Sequence, residues 1–315
     1  MELNEMIAMA LAPVDDKGCP FSEESVAAVP SAGESRQDDD AEPQGNNAGA
    51  LGGNLEAGDA DGGDGYAAKY PAPAMEPEPQ IDTARQAAQG ETLEIVLPAG
   101  GGSNDLRWPF TMAAHHLIPG NASLKSSAVE KFMIQGEKVG PGQRFTIEQH
   151  IGYNINGGHN GVWLPGSYAI TDAALAEIAS VASSKWSRYS KKHEEWAIHY
   201  IAAASRVGKG MFHNTHTKYS SVVRGMLNKI GAKLHTHLAN CCDCKGKTKV
   251  PPPYRIKARL YLISSFLKVR TQAAPETWCC NLITFSKGWA GKIFDGRKPS
   301  KSFLDTYYSA KSYRG

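Results

Sequence analysis

No uninterrupted run of about 18 apolar residues occurs, so a membrane-spanning helix is not expected. The first residues, Met1-Glu2-Leu3-Asn4-Glu5, are acidic and lack the basic start of a secretory signal peptide. The expectation is a protein that stays in the cytoplasm or leaves by a route without a cleaved signal. No internal repeat is apparent. Cysteine is sparse, with 6 in 315 residues. None stands near the paired histidines described below, so no catalytic cysteine is assigned. Charge is scarce by region and by sign. Residues 1–100 contain only 4 Lys/Arg against 20 Asp/Glu, and residues 101–315 only 12 Asp/Glu against 30 Lys/Arg. The balances of −16 and +18 cancel almost completely in the net charge of +2. A basic body of this kind suits a polyanionic partner such as nucleic acid.

What is present divides the chain into four stretches. Residues 1–30 form a short N-terminal segment of unknown role, with apolar residues from Met6 to Leu11 and then Cys19-Pro20-Phe21. Residues 31–90 are rich in acid, Gly and Pro and bury too little apolar area to offset ordering entropy, so a disordered acidic linker is expected. Residues 104–232 are a candidate catalytic domain, and residues 233–315 a basic, Cys-containing extension. Alternation over 91–97 predicts a strand, and helical spacing predicts helices over 123–135, 171–207, 213–231 and near 256–270. Thr171 or Asp172, and Ser183 or Ser184, are candidate N-caps. Trp186, Tyr189, His193, Trp196 and Tyr200 form an aromatic stripe that reads as core packing. Gly231 reads as a helix stop.

The chemistry concentrates in three places. Ala114-His115-His116 closes an apolar run just before Pro119-Gly120. On a strand, neighbouring side chains face opposite ways, so one imidazole can hold a metal while the other handles a water. Asn160-Gly161-Val162 with Leu164-Pro165 follows, and then His213-x-x-His216-x-x-Tyr219 at the start of a periodic segment. His213, His216 and Tyr219 at i,i+3 spacing would share one helix face.

In this order the motifs resemble the AHH family of the HNH/endonuclease VII (ββα-metal) superfamily, which comprises bacterial toxin nucleases. The resemblance covers about residues 108–232. It implies an α+β fold, with a ββα-metal core inside a mostly helical domain that follows the disordered acidic N-terminal region. It also implies a metal-dependent endonuclease acting on DNA or RNA. His115 would be a metal ligand, His116 the general base, Asn160 the residue orienting that base or the local loop, and His216 a helix-borne ligand. His213 would complete the metal site, contact phosphate or face solvent. Tyr219 would contact phosphate or brace the helix, and Lys218 and Arg224 would hold the nucleic-acid backbone. The implied cofactor is a divalent ion, Mg²⁺ first, with Zn²⁺ or Ni²⁺ as alternatives. The implied partners are a cognate immunity protein and a secretion-apparatus or adaptor protein. Delivery would run through a contractile, type VI-like route with residues 1–100 as loading segment.

The cysteines stand apart from this pattern. Cys241-x-x-Cys244 has zinc-knuckle spacing, and Cys279-Cys280 could add thiolates, with His235 or His237 as substitutes. A structural Zn²⁺, disulfides and free thiols all remain open, and Cys19 has no assigned partner. The alternative to a nuclease is a non-catalytic zinc-binding nucleic-acid module.

Overall fold

The computed structural model describes residues 19–21, 48–56, 93–98, 105–171, 174–175, 178, 186–253 and 255–310. The chain divides into two compact units. The first draws on Met1–Ala74, His116–Gly161 and Ser220–Leu267, and the second on Met75–His115, Val162–Tyr219 and Lys268–Gly315. Helices and small sheets are mixed, consistent with the α+β class. The described elements begin with helix α1, Ala48–Glu56, and strands β1, Leu93–Pro98, and β2, Asp105–His116. Strands β3, Lys138–Val139, β4, Phe145–Ile147, and β5, Gly161–Gly166, precede helices α2, Trp186–Lys192, α3, Glu194–Val207, and α4, Thr217–Asn240. Strand β6, Lys249–Val250, helices α5, Arg255–Gln272, and α6, Lys287–Ile293, strands β7, Phe294–Asp295, and β8, Lys298–Pro299, and helix α7, Lys301–Ser309, complete the order.

The second unit is built on a three-stranded sheet in the order β1-β2-β5, with β1 antiparallel to β2 and Ile95 opposite Trp108. Alternation along β2 places Trp108, Phe110 and Met112 in the core. Trp108 Nε1 donates to Leu97 O at 3.1 Å, which satisfies the indole N–H without breaking the apolar contact. The expected aromatic stripe is indeed buried, at Trp186, Tyr189, Trp196 and Tyr200. It lies on two helices rather than one, because the backbone at His193 (φ −126°, ψ 67°) leaves the helical region between α2 and α3. Tyr200 donates from its hydroxyl to Pro109 O at 2.7 Å, locking α3 to β2. Thr171 Oγ1 accepts from Ala174 N at 3.2 Å, the expected cap, whereas Asp172, Ser183 and Ser184 lie outside the described residues.

In the first unit, β3 pairs antiparallel with β4, and β4 parallel with β6. The part of α4 in this unit buries Val223, Met226, Leu227, Ile230, Leu234 and Leu238, one stripe at three- and four-residue spacing. Gly231 does not stop this helix, which continues to Asn240. A Cβ there would sit 2.3 Å from Ala128 C, so Gly231 is where another backbone crosses the helix closely. The predicted 123–135 helix is also corrected: a π-type turn at Gly120–Leu124 and a 3₁₀ turn at Glu130–Phe132 take its place. Ser126, at φ 65°, breaks the helical path between them.

Part of the linker expected over 31–90 is ordered: Ala48–Glu56 is helical, with Leu51 buried against Gly161. A single apolar contact surface suffices there, despite the surrounding composition. The remainder of that stretch, and of 1–30 apart from residues 19–21, lies outside the described residues. Strand β1 falls where alternation predicted it, and α5 matches the apolar helix near 256–270. No described helix is long and apolar enough to cross a membrane.

Candidate functional site

In the second unit, His115 arrives on the last turn of β2's pleat, while His213 and His216 arrive from the segment leading into α4. Their ligand nitrogens all lie within 4.8 Å of one another. The rings meet edge to face: His115 is 5.0 Å from His213 and 4.8 Å from His216, centroid to centroid, and His213 is 5.1 Å from His216. The expectation that His213 and His216 are helix-borne needs correction, since α4 begins only at Thr217. His213 instead donates its backbone N–H to Pro165 O at 2.6 Å and bridges to Gly166 beside β5. Sheet pairing therefore holds one ligand and the helix start the next, which is why they converge without sharing a helix face.

Burial favours the neutral imidazole at His213 and His216. The His213 imidazole is pushed down to about 3 by burial and, secondarily, by the neighbouring His216. His216 is also lowered, again by burial. Neutral rings offer lone pairs at neutral pH, so the donor set fits a divalent ion. Tyr168 Oη lies 3.2 Å from His213 Nδ1, leaving Nε2 as that ring's ligand atom. Nothing in the sequence marks Tyr168 for this role. Tyr219 is fully buried, with its ring 5.1 Å from His115 and 5.7 Å from His216. Its ring packs against the cluster, in keeping with the bracing role that was one of its two expected roles.

His116, the next residue of the chain, belongs to the first unit and is buried. Its Nε2 donates to Asn156 Oδ1 at 2.9 Å, an acceptor the sequence reading did not single out. The signal available was only that Asn154 and Asn156 sit in a Gly/Asn-rich loop. Burial lowers the His116 imidazole, and the Asn156 bond opposes this in part. Asn160 serves the loop rather than the base. Its Oδ1 accepts from Ile118 N at 2.8 Å and Ser264 Oγ at 2.9 Å, and its Nδ2 donates to Ile118 O at 3.0 Å and Ile155 O at 2.9 Å. Both polar atoms of the Asn160 side chain are thus engaged, in keeping with its expected role in orienting the local loop.

With this geometry in place, the match to known proteins is specific. Residues 100–240 match AHH, described as a nuclease family of the HNH/ENDO VII superfamily with conserved AHH. The match covers less than half of the chain, and within that stretch the chain is similar to the AHH nucleases. Ala114-His115-His116 supplies the tripeptide for which the family is named. No curated protein and no solved structure matches the chain. The match supports a nuclease of the HNH/ENDO VII superfamily, a class of hydrolase that acts on nucleic acid with a divalent metal.

The remaining candidates separate. Lys218 is half-buried on the first turn of α4. The Arg224 guanidinium donates to Ala122 O at 2.7 Å and 3.2 Å, so it pins a loop, yet stays exposed. His159 is pushed down to about 3 by burial and then by Lys257, and rests edge-on to Tyr153 and Tyr261. His150 accepts from Gln135 N at 3.2 Å, in a loop. Cys241 and Cys244 lie in the first unit, and Cys279 and Cys280 in the second. The group around Cys241 takes in Cys19 and His237, not the second cysteine pair.

Proposed function

We propose that this AHH nuclease is a metal-dependent endonuclease that hydrolyses phosphodiester bonds of DNA with little sequence preference. The observation that carries the reading is the convergence of His115, His213 and His216 beside the Ala-His-His tripeptide, with a buried, hydrogen-bonded His116 next in the chain. His115, His213 and His216 would hold a divalent ion, which would supply charge neutralisation at the phosphate and at the leaving oxygen. His116 is the general base. Because Asn156 Oδ1 accepts from Nε2, Nδ1 is the nitrogen that takes the proton of the attacking water. Burial favours the neutral ring, so His116 is ready to accept that proton at neutral pH. Tyr168 orients His213, and Tyr219 packs behind His115 and His216. Lys218 and the exposed part of Arg224 support the phosphate backbone without reading bases.

Among the described residues, the ligand group contains no carboxylate. An all-imidazole set favours a borderline ion such as Zn²⁺ or Ni²⁺ over Mg²⁺, which prefers oxygen. The preference for DNA rests on the superfamily and on the basic balance of residues 101–315. The same resemblance supports a toxin that is delivered into a target cell without a cleaved signal. Its producer would be protected by an immunity protein, and the acidic N-terminal region would serve for loading. The test is plasmid cleavage by the purified full chain with Mg²⁺, Zn²⁺ or Ni²⁺, beside single-stranded RNA as rival substrate. His116→Ala should abolish plasmid nicking while metal content stays unchanged. Equal cutting by His116→Ala would remove that residue from the mechanism, and cleavage of RNA alone would reassign the substrate. Rescue of expressing cells by a neighbouring small open reading frame would establish the toxin role.

A further inference from the structure

The first unit contains a second group of metal-ligating side chains that the nuclease reading does not use. Cys19 Sγ lies 3.2 Å from Cys241 Sγ and 3.6 Å from Cys244 Sγ. Cys19, His237 and Cys241 offer ligand atoms within 4.8 Å of one another. His237 Nε2 is buried and has no hydrogen-bond partner among the described residues. We propose that Cys19, His237, Cys241 and Cys244 form a structural zinc site that clasps the Cys19-Pro20-Phe21 segment onto the C-terminal end of α4.

The geometry suits zinc: Cys19, His237 and Cys241 form the centre of the group, and Cys244 joins it through Cys19. Thiolates about 2.3 Å from a tetrahedral ion lie roughly 3.8 Å apart, close to the sulfur separations seen here. A disulfide would join two of the three sulfurs and leave the third and the imidazole without a role. Four ligands of the Cys₃His type close the coordination shell, as in structural rather than catalytic sites. The local backbone is shaped for it. His237 and Cys241 are one turn apart at the end of α4, so both can face the same point. Beyond them the chain folds back through Lys245 N to Cys242 O and Lys247 N to Cys244 O, each 3.1 Å. Gly246, at φ 85°, permits the left-handed step that completes the knuckle. Cys19 and Cys244 are buried and Cys241 is half-buried, which shields the site from competing ligands.

The third cysteine comes from the distant N-terminal part of the chain, and its neighbours are packed as if the clasp were permanent. Phe21 is 1% exposed, and its ring lies 6.0 Å from Phe132 and 6.2 Å from His237. On binding, the three thiols release their protons to solvent and the neutral imidazole contributes its lone pair, with no change of oxidation state. The inference stands independently of nuclease activity, because none of its ligands belongs to the AHH tripeptide or to the imidazole cluster.

The test is zinc content of the full chain by elemental analysis, in a His216→Ala background so that the imidazole cluster does not contribute. One equivalent per chain is expected. Cys19→Ser, Cys241→Ser and Cys244→Ser should each lose it, whereas Cys279→Ser and Cys280→Ser should retain it. If a ligand variant fails to fold, Co²⁺ exchange into the unaltered ligand set decides instead. A tetrahedral visible spectrum with a sulfur-to-cobalt charge-transfer band supports the site, and an octahedral, sulfur-free spectrum overturns it. Full zinc retention in Cys19→Ser, loss in Cys279→Ser, or a Cys19–Cys241 disulfide in the purified protein would also overturn it.

Discussion

The two groups of metal-ligating side chains, one in each unit, differ in kind. The second unit gathers three imidazoles, with a tyrosine hydroxyl behind one of them. The first unit gathers three thiols and one imidazole. Three neutral nitrogens leave coordination positions for substrate and water, which is what hydrolysis requires. Three thiolates and a nitrogen saturate a tetrahedral ion and leave none. On the proposed reading, the same chain separates an exchangeable, reactive metal environment from a closed, structural one by donor type and donor number.

The sharpest way to break this comparison is to disable one site and assay the other. His216→Ala should lower plasmid cleavage by at least about a thousandfold, the scale of a lost charge-stabilising group, while the thiol-bound equivalent of zinc persists. Cleavage that survives in His216→Ala would show that the imidazole cluster is not the reactive site. Mild chelation should act in the same order, stopping cleavage before it removes zinc from the thiols.

A smaller effect separates positioning from catalysis. Asn160→Ala strands the Ile118 N–H and the Ser264 hydroxyl, and each stranded buried group costs about 1–3 kcal/mol. The melting temperature should fall clearly, and cleavage at low temperature should follow the folded fraction. A normal melting temperature with activity abolished would return Asn160 to the catalytic set. Smaller still, Tyr168→Phe should weaken metal affinity at the imidazole cluster about tenfold by releasing His213 from its outer partner. Zinc at the thiol site should be unmoved, and isothermal titration would read both.

A further effect is on stability against pH. His159 has a folded value near 3, pulled down from its ordinary 6.5 mainly by burial. Between those values the unfolded chain binds the extra proton, so His159's contribution is complete above about 6.5 and declines as pH falls towards 3. Denaturant midpoints measured across that window should drop with acid, and less steeply in His159→Gln. A pH dependence identical in the variant would place the acid sensitivity elsewhere.

Much of the site was legible because its chemistry lies in short, ordered strings. Ala114-His115-His116, Asn160 and His216 stand out by type and spacing, and the first falls at the end of β2 as expected. Asn156 and Tyr168 were not legible: an amide in a Gly/Asn loop and an exposed tyrosine carry no pattern until the fold brings them to His116 and His213. The helix expected over 123–135 shows the limit from the other side, since one left-handed residue, Ser126, defeated a sound apolar periodicity.

Sequence alone determined the likeness to the AHH nucleases, the aromatic core stripe and the opposed charges of the two ends, because these depend on residue type and near spacing. Tertiary structure decided which donors meet. Cys241 is grouped with Cys19, more than two hundred positions away, and not with Cys279. His213 reaches the imidazole cluster through a bridge to Gly166 and not along a helix face. Ligand sets are fixed by distances in space, and separation along the chain does not encode them until sheet pairing and close helix contacts, such as that at Gly231, have set the path of the backbone.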